Sequence, residues 1–291
     1  MNKKMKIGFY LPDKEPLKGV FGCASLGMTG RSEGGEPDRV LLPYDLAGCH
    51  IYGTYSEAME QLKKLPEKSS IQAAIILFGN AGREEWFLEM FSDVLNCPAV
   101  GGGAAMDAHG RSGLISHGTE VNIFLITDDR YEYQVSMKNI YPKVLEEVRL
   151  ELGGKRKVLQ INGAKAASWL AQKKAEAGLA ETDFEHMTLT TFDGVNAHLS
   201  VQNGEIVSGR NLEEKMQLRY IRPEEVQHAV NEFYQEPDSL VFGCAGIKGM
   251  LEKEIVTLSP GLFLFGEVCT VMGMPMFGNL MLSKLKITKK K

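Results

Sequence analysis

At 291 residues, 44% hydrophobic and 24% charged, the chain has an ordinary globular composition and length enough for two modest lobes or one large α/β domain. A formal net charge of -4 leaves no electrostatic footprint for nucleic acid. The five cysteines are odd in number and form no Cys-x-x-Cys pair, and no apolar run approaches the roughly 18 residues of a membrane span, so a cytosolic chain with reduced thiols and neither membrane nor nucleic-acid partners is expected.

Met5 to Leu11 reads as an opening strand, because its apolar stretch stops at Pro12-Asp13, far short of a signal-peptide core. Gly, Pro and Ser then dominate up to Glu36 and predict a long irregular excursion. Ser56 to Leu65 carries Ala58, Met59, Leu62 and Leu65 at helical spacing behind a Ser cap. Ile71 to Phe78 is apolar without alternation, as in a strand buried on both faces, and Gly79 to Gly82 turns it into a helix over Arg83 to Leu95. Ala99 to Ala105 holds three successive glycines, and the stretches Gly113 to Asp128 and Arg130 to Tyr141 are predicted to pair as a hairpin.

The second half starts near Pro142. Leu145 to Leu152 fits a strand or a helical turn, Lys155 to Asn162 a strand, and Ala164 to Ala177 a helix stopped by Gly178. Between Leu189 and Ser208 the pairs Asp193-Gly194 and Asn203-Gly204 signal two hairpins, and Pro223 to Tyr234 is a helix with Pro in its first turn. An apolar run, Leu240 to Phe242, enters the turn Gly243 to Gly246; after a helical segment, Leu262 to Phe265 delivers Gly266-Glu267, so that one acid ends an apolar strand. Lys284 to Lys291 reads as a solvated, frayed tail, and the Met272, Met274, Met276 and Met281 cluster as an adaptable hairpin loop packed on the core.

Phe78-Gly79-Asn80-Ala81-Gly82 and Phe242-Gly243-Cys244-Ala245-Gly246 agree at four of five positions, 242 − 78 = 164 residues apart, and the same offset places Gly102 on Gly266 and Gly103 on Glu267. This predicts an α/β (α+β) fold of two pseudo-repeated lobes, residues 1–141 and 142–291, with mostly antiparallel or mixed sheets under helices. An α-β-β-α sandwich and a single continuous sheet both satisfy it.

Glycines between strand and helix leave backbone amides open at a helix start, an anion-friendly position, although the spacing is neither a Walker nor a Rossmann fingerprint. Asn80 and Gly101 to Gly103 are ligand-binding candidates in the first half; Cys244, Gly246, Lys248, Gly266, Glu267 and Asn279 are candidates in the second. Glu267 needs a cation, from a ligand or from this chain's own Lys248, if it is buried. Cys244 is a packing thiol or a nucleophile aided by a distant His109 or His117. The histidine spacings fit no zinc site, and no hydrolase elbow or catalytic carboxylate pair is present.

The order Cys244 with Gly246, Gly266 with Glu267, and Asn279 before the last strand resembles the C-terminal half of the FIST domain, a sensory module. Val158 to Gly163, followed by Ala166 and Trp169-Leu170, resembles the start of that family's second half, and the likeness covers residues 97–288 better than the first part. The family's Arg after Cys-x-Gly is replaced by Ile247-Lys248, so an anion contact there falls to Lys248 without forked geometry. The resemblance implies a FIST N-like half (1–141) and a FIST C-like half (142–291), a small, amino-acid-like ligand, and a signalling partner such as a kinase or cyclase. No cofactor is expected, except in a haem-binding, nitric-oxide-sensing branch, where His109 or His117 would serve as axial ligand. With three residues after Thr288, output through a separate protein is expected. The alternative reading is a hydrolase or transferase using Cys244.

Overall fold

The computed structural model describes residues 3–29, 37–79, 82–106, 109–115, 120–255 and 257–291. Strand outweighs helix, 46% against 19%, so the few helices cover parts of two sheets. The chain builds β1 (Lys3–Tyr10), β2 (Gly27–Thr29), β3 (Arg39–Gly53), α1 (Tyr55–Lys63), β4 (Ala73–Phe78), α2 (Glu84–Val94), β5 (Ala99–Gly103), β6 (Val121–Ile126) and β7 (Tyr131–Asn139). A central segment follows: β8 (Lys143–Leu152), β9 (Lys157–Ile161), β10 (Ala164–Lys165), α3 (Ala166–Glu176), β11 (Met187–Thr190), β12 (Asn196–Ala197), β13 (Leu199–Gln202), β14 (Glu205–Ser208) and β15 (Lys215–Tyr220). The chain closes with α4 (Pro223–Tyr234), β16 (Ser239–Cys244), α5 (Ala245–Met250), β17 (Gly261–Val271), β18 (Met274–Gly278) and β19 (Met281–Lys289).

The two halves share one sheet, ordered β1-β3-β6-β4-β5-β17-β16-β19-β7, with β2 and β18 attached to β17. β4 and β5 are parallel and flank α2; β16 and β17 are parallel and flank α5. β6 lies antiparallel to β4, β19 antiparallel to β16, and β5 meets β17 antiparallel at the centre. A pseudo-twofold axis between β5 and β17 therefore relates β6-β4-β5 to β19-β16-β17. The sandwich arrangement is replaced by the side-by-side one, because β5 and β17 satisfy each other's backbone groups directly.

The repeat holds for elements and pairing, not for residues. Phe78 packs in the α1–α2 layer with Phe87 and Tyr55, whereas Phe242 lies in the core on the other face with Phe9 and Leu262. The offset of 164 thus carries one face of a strand onto the opposite face.

α1 begins at Thr54, not at Ser56: Thr54 Oγ1 accepts the Glu57 N–H at 3.3 Å while Glu57 Oε2 accepts the Thr54 N–H at 2.8 Å, a reciprocal cap. Its Tyr55, Ala58, Met59 and Leu62 form one stripe on the sheet. α4 covers the other half with Val226, Val230, Phe233 and Tyr234. The opposite face is filled from both edges of the curled sheet; Phe9 of β1 meets the Phe242 ring edge-on at 6.3 Å.

The central segment forms the second sheet, β12-β11-β15-β8-β9-β14-β13, with β10 on β9. Only His198 separates β12 from β13, so the path closes into a small antiparallel barrel whose core includes Trp169 and Leu170 of α3. Both predicted hairpins are formed, β11–β12 and β13–β14, the second with Asn203 and Gly204 at φ 52° and 77°. Leu145 to Leu152 belongs to strand β8. Asn139 and Asn196 exchange amide hydrogen bonds of 2.7 and 3.1 Å, tying the barrel to the large sheet.

Four expectations change. β6 and β7 do not form a hairpin: β6, buried throughout, sits between β3 and β4, while half-exposed β7 crosses to the far edge against β19. The early glycine-rich stretch contributes β2, paired with β17. Lys284 is buried in β19, ion-paired with Glu236 and lying 4.2 Å above the Phe233 ring, and Lys286 Nζ is 2.6 Å from Glu236, so the expected tail is a paired strand through Lys289. At the β17–β18 hairpin, Met272 and Met274 project into solvent instead of packing, while Met281 is buried. Among the described residues no helix is long and apolar enough to cross a membrane.

Candidate functional site

β17 is the strand on which the site turns. It runs beside β16 through Leu264 and beside β18 from Glu267 onward, leaving Phe265 and Gly266 without a strand on that side. On the other side, Phe265 pairs with Gly103 and Glu267 with Gly102, so Gly266, at φ 73°, is the extra residue of a bulge. The bulge reverses the alternation: Val268 joins the α1–α2 core and Glu267 turns toward Met281. Glu267 is therefore an interior residue of a continuing strand, not the end of one.

A cavity of about 500 Å³ opens at this gap. Residues just past the carboxyl ends of β4, β5 and β16 border it, namely Gly82, Met106 and Ala245 with Gly246. Phe265, Phe277 and Met106 make its apolar wall; Phe265 is 45% and Met106 57% exposed, an unusual display of large apolar side chains around a concavity. The barrel supplies Arg156, Glu185, His198 and Gly209 to the facing wall.

Cys244 lies on the cavity floor and is 6% exposed, and Glu267 lies beneath it, fully buried. Glu267 Oε2 accepts the Met281 N–H at 3.2 Å, whereas Oε1 has no partner. Burial raises this carboxyl well above its ordinary 4.5, outweighing the Met281 and Cys244 contacts that favour the anion. Burial, and then the neighbouring Glu267, push the Cys244 thiol up to about 12, against the backbone amides of Leu280, Gly246 and Gly266. Two acids sharing one buried site do not both ionise.

The rim is charged differently. Arg156 Nη2 is 2.6 Å from Glu85 Oε2 and 3.7 Å from Glu84 Oε2, so this cation is already neutralised. His198 Nε2 stands 3.8 Å from Glu185 Oε1 and holds the Glu185 carboxyl below its usual range. Asn279 Oδ1 accepts the His198 N–H at 3.4 Å, joining the β18–β19 turn to the barrel. The cleft thus offers the Glu185 carboxylate, the Arg156-paired Glu84, a buried acid beneath the floor and an apolar wall, a set that suits a donor-bearing or cationic ligand with an apolar body.

Of the residues singled out by sequence, Cys244, Gly246, Gly266 and Asn279 line the cleft and Glu267 supports its floor. Gly101 to Gly103 lie in the interior of the sheet, packed against Ile76 and Gly266. Lys248 does not pair with Glu267; its Nζ donates to the Leu26 carbonyl at 3.0 Å. The expected anion position at the start of α2 is filled from within, since Gly82 N–H donates to Glu84 Oε1 at 2.9 Å, and α5 is only six residues long. His109 sits on an exposed turn; Asn80 and His117 lie outside the described residues. Arg156, Glu185 and His198 carry no local sequence signal, because nothing in a barrel segment marks a residue as facing a strand distant in the chain.

No family model matches the chain, and no curated protein matches it.

Proposed function

We propose that the chain is a small-ligand-binding sensory module of FIST-like character, acting in the cytoplasm through a separate output protein such as a kinase or cyclase. The observation that carries this reading is the open cleft over the Gly266 bulge, with exposed Phe265 and Met106 above a buried, half-satisfied Glu267. A binding cleft bordered by two pseudo-related sheet halves and the barrel lets a ligand favour one relative arrangement over another, which is how occupancy would reach a partner. The ligand is a small amine, amino-acid-like in its cationic group, with an apolar body against Phe265 and Phe277 and its ammonium toward Glu185. Cys244, a protonated thiol at pH 7, lines the site as a weak polar contact and not as a nucleophile.

Titration calorimetry with phenethylamine as first probe tests this. Saturable binding to the native chain, weakened by Phe265→Ser and by Glu185→Gln with the melting temperature held, supports the reading. Absence of binding across a series of apolar amines, or equal binding by both variants, contradicts it. Turnover of an ester or thioester panel that is abolished by Cys244→Ala would favour the enzyme reading instead.

A further inference from the structure

Arg210 follows β14 on the barrel surface that faces α2. It is 6% exposed, and its Nε and Nη1 are fully buried with no acceptor in hydrogen-bond range. No carboxylate among the described residues forms an ion pair with it: of the acids near it, Glu213 is exposed on the groove rim and the other two are committed elsewhere. Glu85 receives the Asn211 N–H and Arg156 Nη2, both at 2.6 Å, and Asp193 receives the Thr191 hydroxyl. Burying a guanidinium without a counter-ion is costly, and its five N–H groups form a planar fork that matches a carboxylate.

The same residue borders a groove of about 450 Å³ between α2, the barrel and the β17–β18 hairpin. Leu88, Leu212, Met276 and Phe277 give it apolar walls, and half-exposed Met274 adds a side chain able to re-pack around a guest. Glu89, Asp93 and Glu213 stand on the rim and disfavour a multiply charged anion. Phe277 is shared with the cleft at Cys244, but the groove opens on the other side of the α2 start.

We propose that this groove is a second ligand site, which takes a small organic acid by pairing its carboxylate with Arg210 and laying its apolar body along Met274, Met276 and Leu88. The guest supplies the counter-ion the fold omits. This site is independent of the amine-binding reading of the cleft.

The test is thermal unfolding of the full chain with benzoate and butyrate at matched ionic strength, using chloride, phosphate and butylamine as comparators. The native chain should gain melting temperature saturably with both acids. Arg210→Met should melt higher without additive, because an unpaired buried charge is gone, and should lose the response; Arg210→Lys, which keeps charge but not the fork, should bind roughly tenfold more weakly. Phe265→Ser, which alters only the cleft, should keep the response. No saturable gain over chloride, a gain preserved in Arg210→Met, or a larger gain with phosphate overturns the proposal. A melting temperature that falls in Arg210→Met with no acid response would mean that Arg210 is satisfied structurally.

Discussion

Gly102 and Gly266 meet at the centre of the large sheet: a Cβ on Gly102 would lie 2.2 Å from the Gly266 carbonyl oxygen. No side chain fits there, because the opposing atom is backbone in a bulge that also shapes the cleft. Gly102→Ala should therefore destabilise the fold by about 3 kcal/mol, measured as a lower urea midpoint, since the two strands must separate or the bulge must shift. Gly249→Ala, exposed, with open space around it and no left-handed φ, is the control for a generic glycine effect.

Glu267 makes stability depend on pH in a direction opposite to most carboxylates. Its folded pKa is raised above the unfolded value of 4.5, so above pH 4.5 the unfolded chain releases a proton that the folded chain keeps. Stability therefore falls as pH rises from 4.5, by up to about 1.4 kcal/mol per pH unit from this one group. Glu267→Gln, an uncharged near-isostere, should match the native chain below pH 4.5 and exceed it increasingly as pH rises above 4.5 in urea unfolding. A gap that shrinks with pH would mean Glu267 is ionised in the fold.

Asp128 works the other way. Its carboxylate accepts the Ala47 N–H at 2.9 Å and Arg130 Nε at 2.8 Å, and the Arg130 hydrogen bond holds its pKa well below 3.8. Its stabilisation is present above pH 3.8 and is lost as pH drops through the lower folded value. Asp128→Ala should cost about 2 kcal/mol at pH 7, by leaving the Ala47 N–H without its acceptor, and should flatten the acid limb of the stability profile. An unchanged acid limb would remove Asp128 from the account.

Thiol reactivity should rank by burial and not by proximity to the cleft. Cys49 is part-exposed, whereas Cys23, Cys97, Cys244 and Cys269 are buried and their thiols raised by burial. Iodoacetamide at pH 8 should label Cys49 first in peptide mass mapping. Fast labelling of Cys244 would revive the nucleophile reading.

The elements themselves were legible where local signals suffice. Within unalternating Ile71 to Phe78, Ala73–Phe78 became a fully buried strand, Pro223 opened α4, and Asp193-Gly194 and Asn203-Gly204 made their hairpins. What failed was pairing at a distance. β6 and β7 are neighbours in sequence, yet their pairing partners are set by how many faces each must bury, and this depends on strands not yet in view. Glu267 looked terminal because Gly266 interrupts the apolar run; that glycine marks a bulge, after which the strand continues to Val271. Cys244, Gly246, Gly266 and Asn279 could be found since they lie near one turn and one strand. Glu185, His198 and Arg210 reach their cavities because the barrel docks on the large sheet, through Asn139 with Asn196, Asn279 with His198, and Glu85 with Arg156 and Asn211.

The most direct measurement is native against denaturing mass spectrometry of the purified chain after incubation with a total extract of small metabolites. A binding cleft over Glu267 predicts an added mass of small-molecule size that is lost on denaturation and absent from Phe265→Ser at an unchanged melting temperature. No added mass from such an extract, or the same added mass on Phe265→Ser, would contradict a ligand-binding cleft at the β17 bulge.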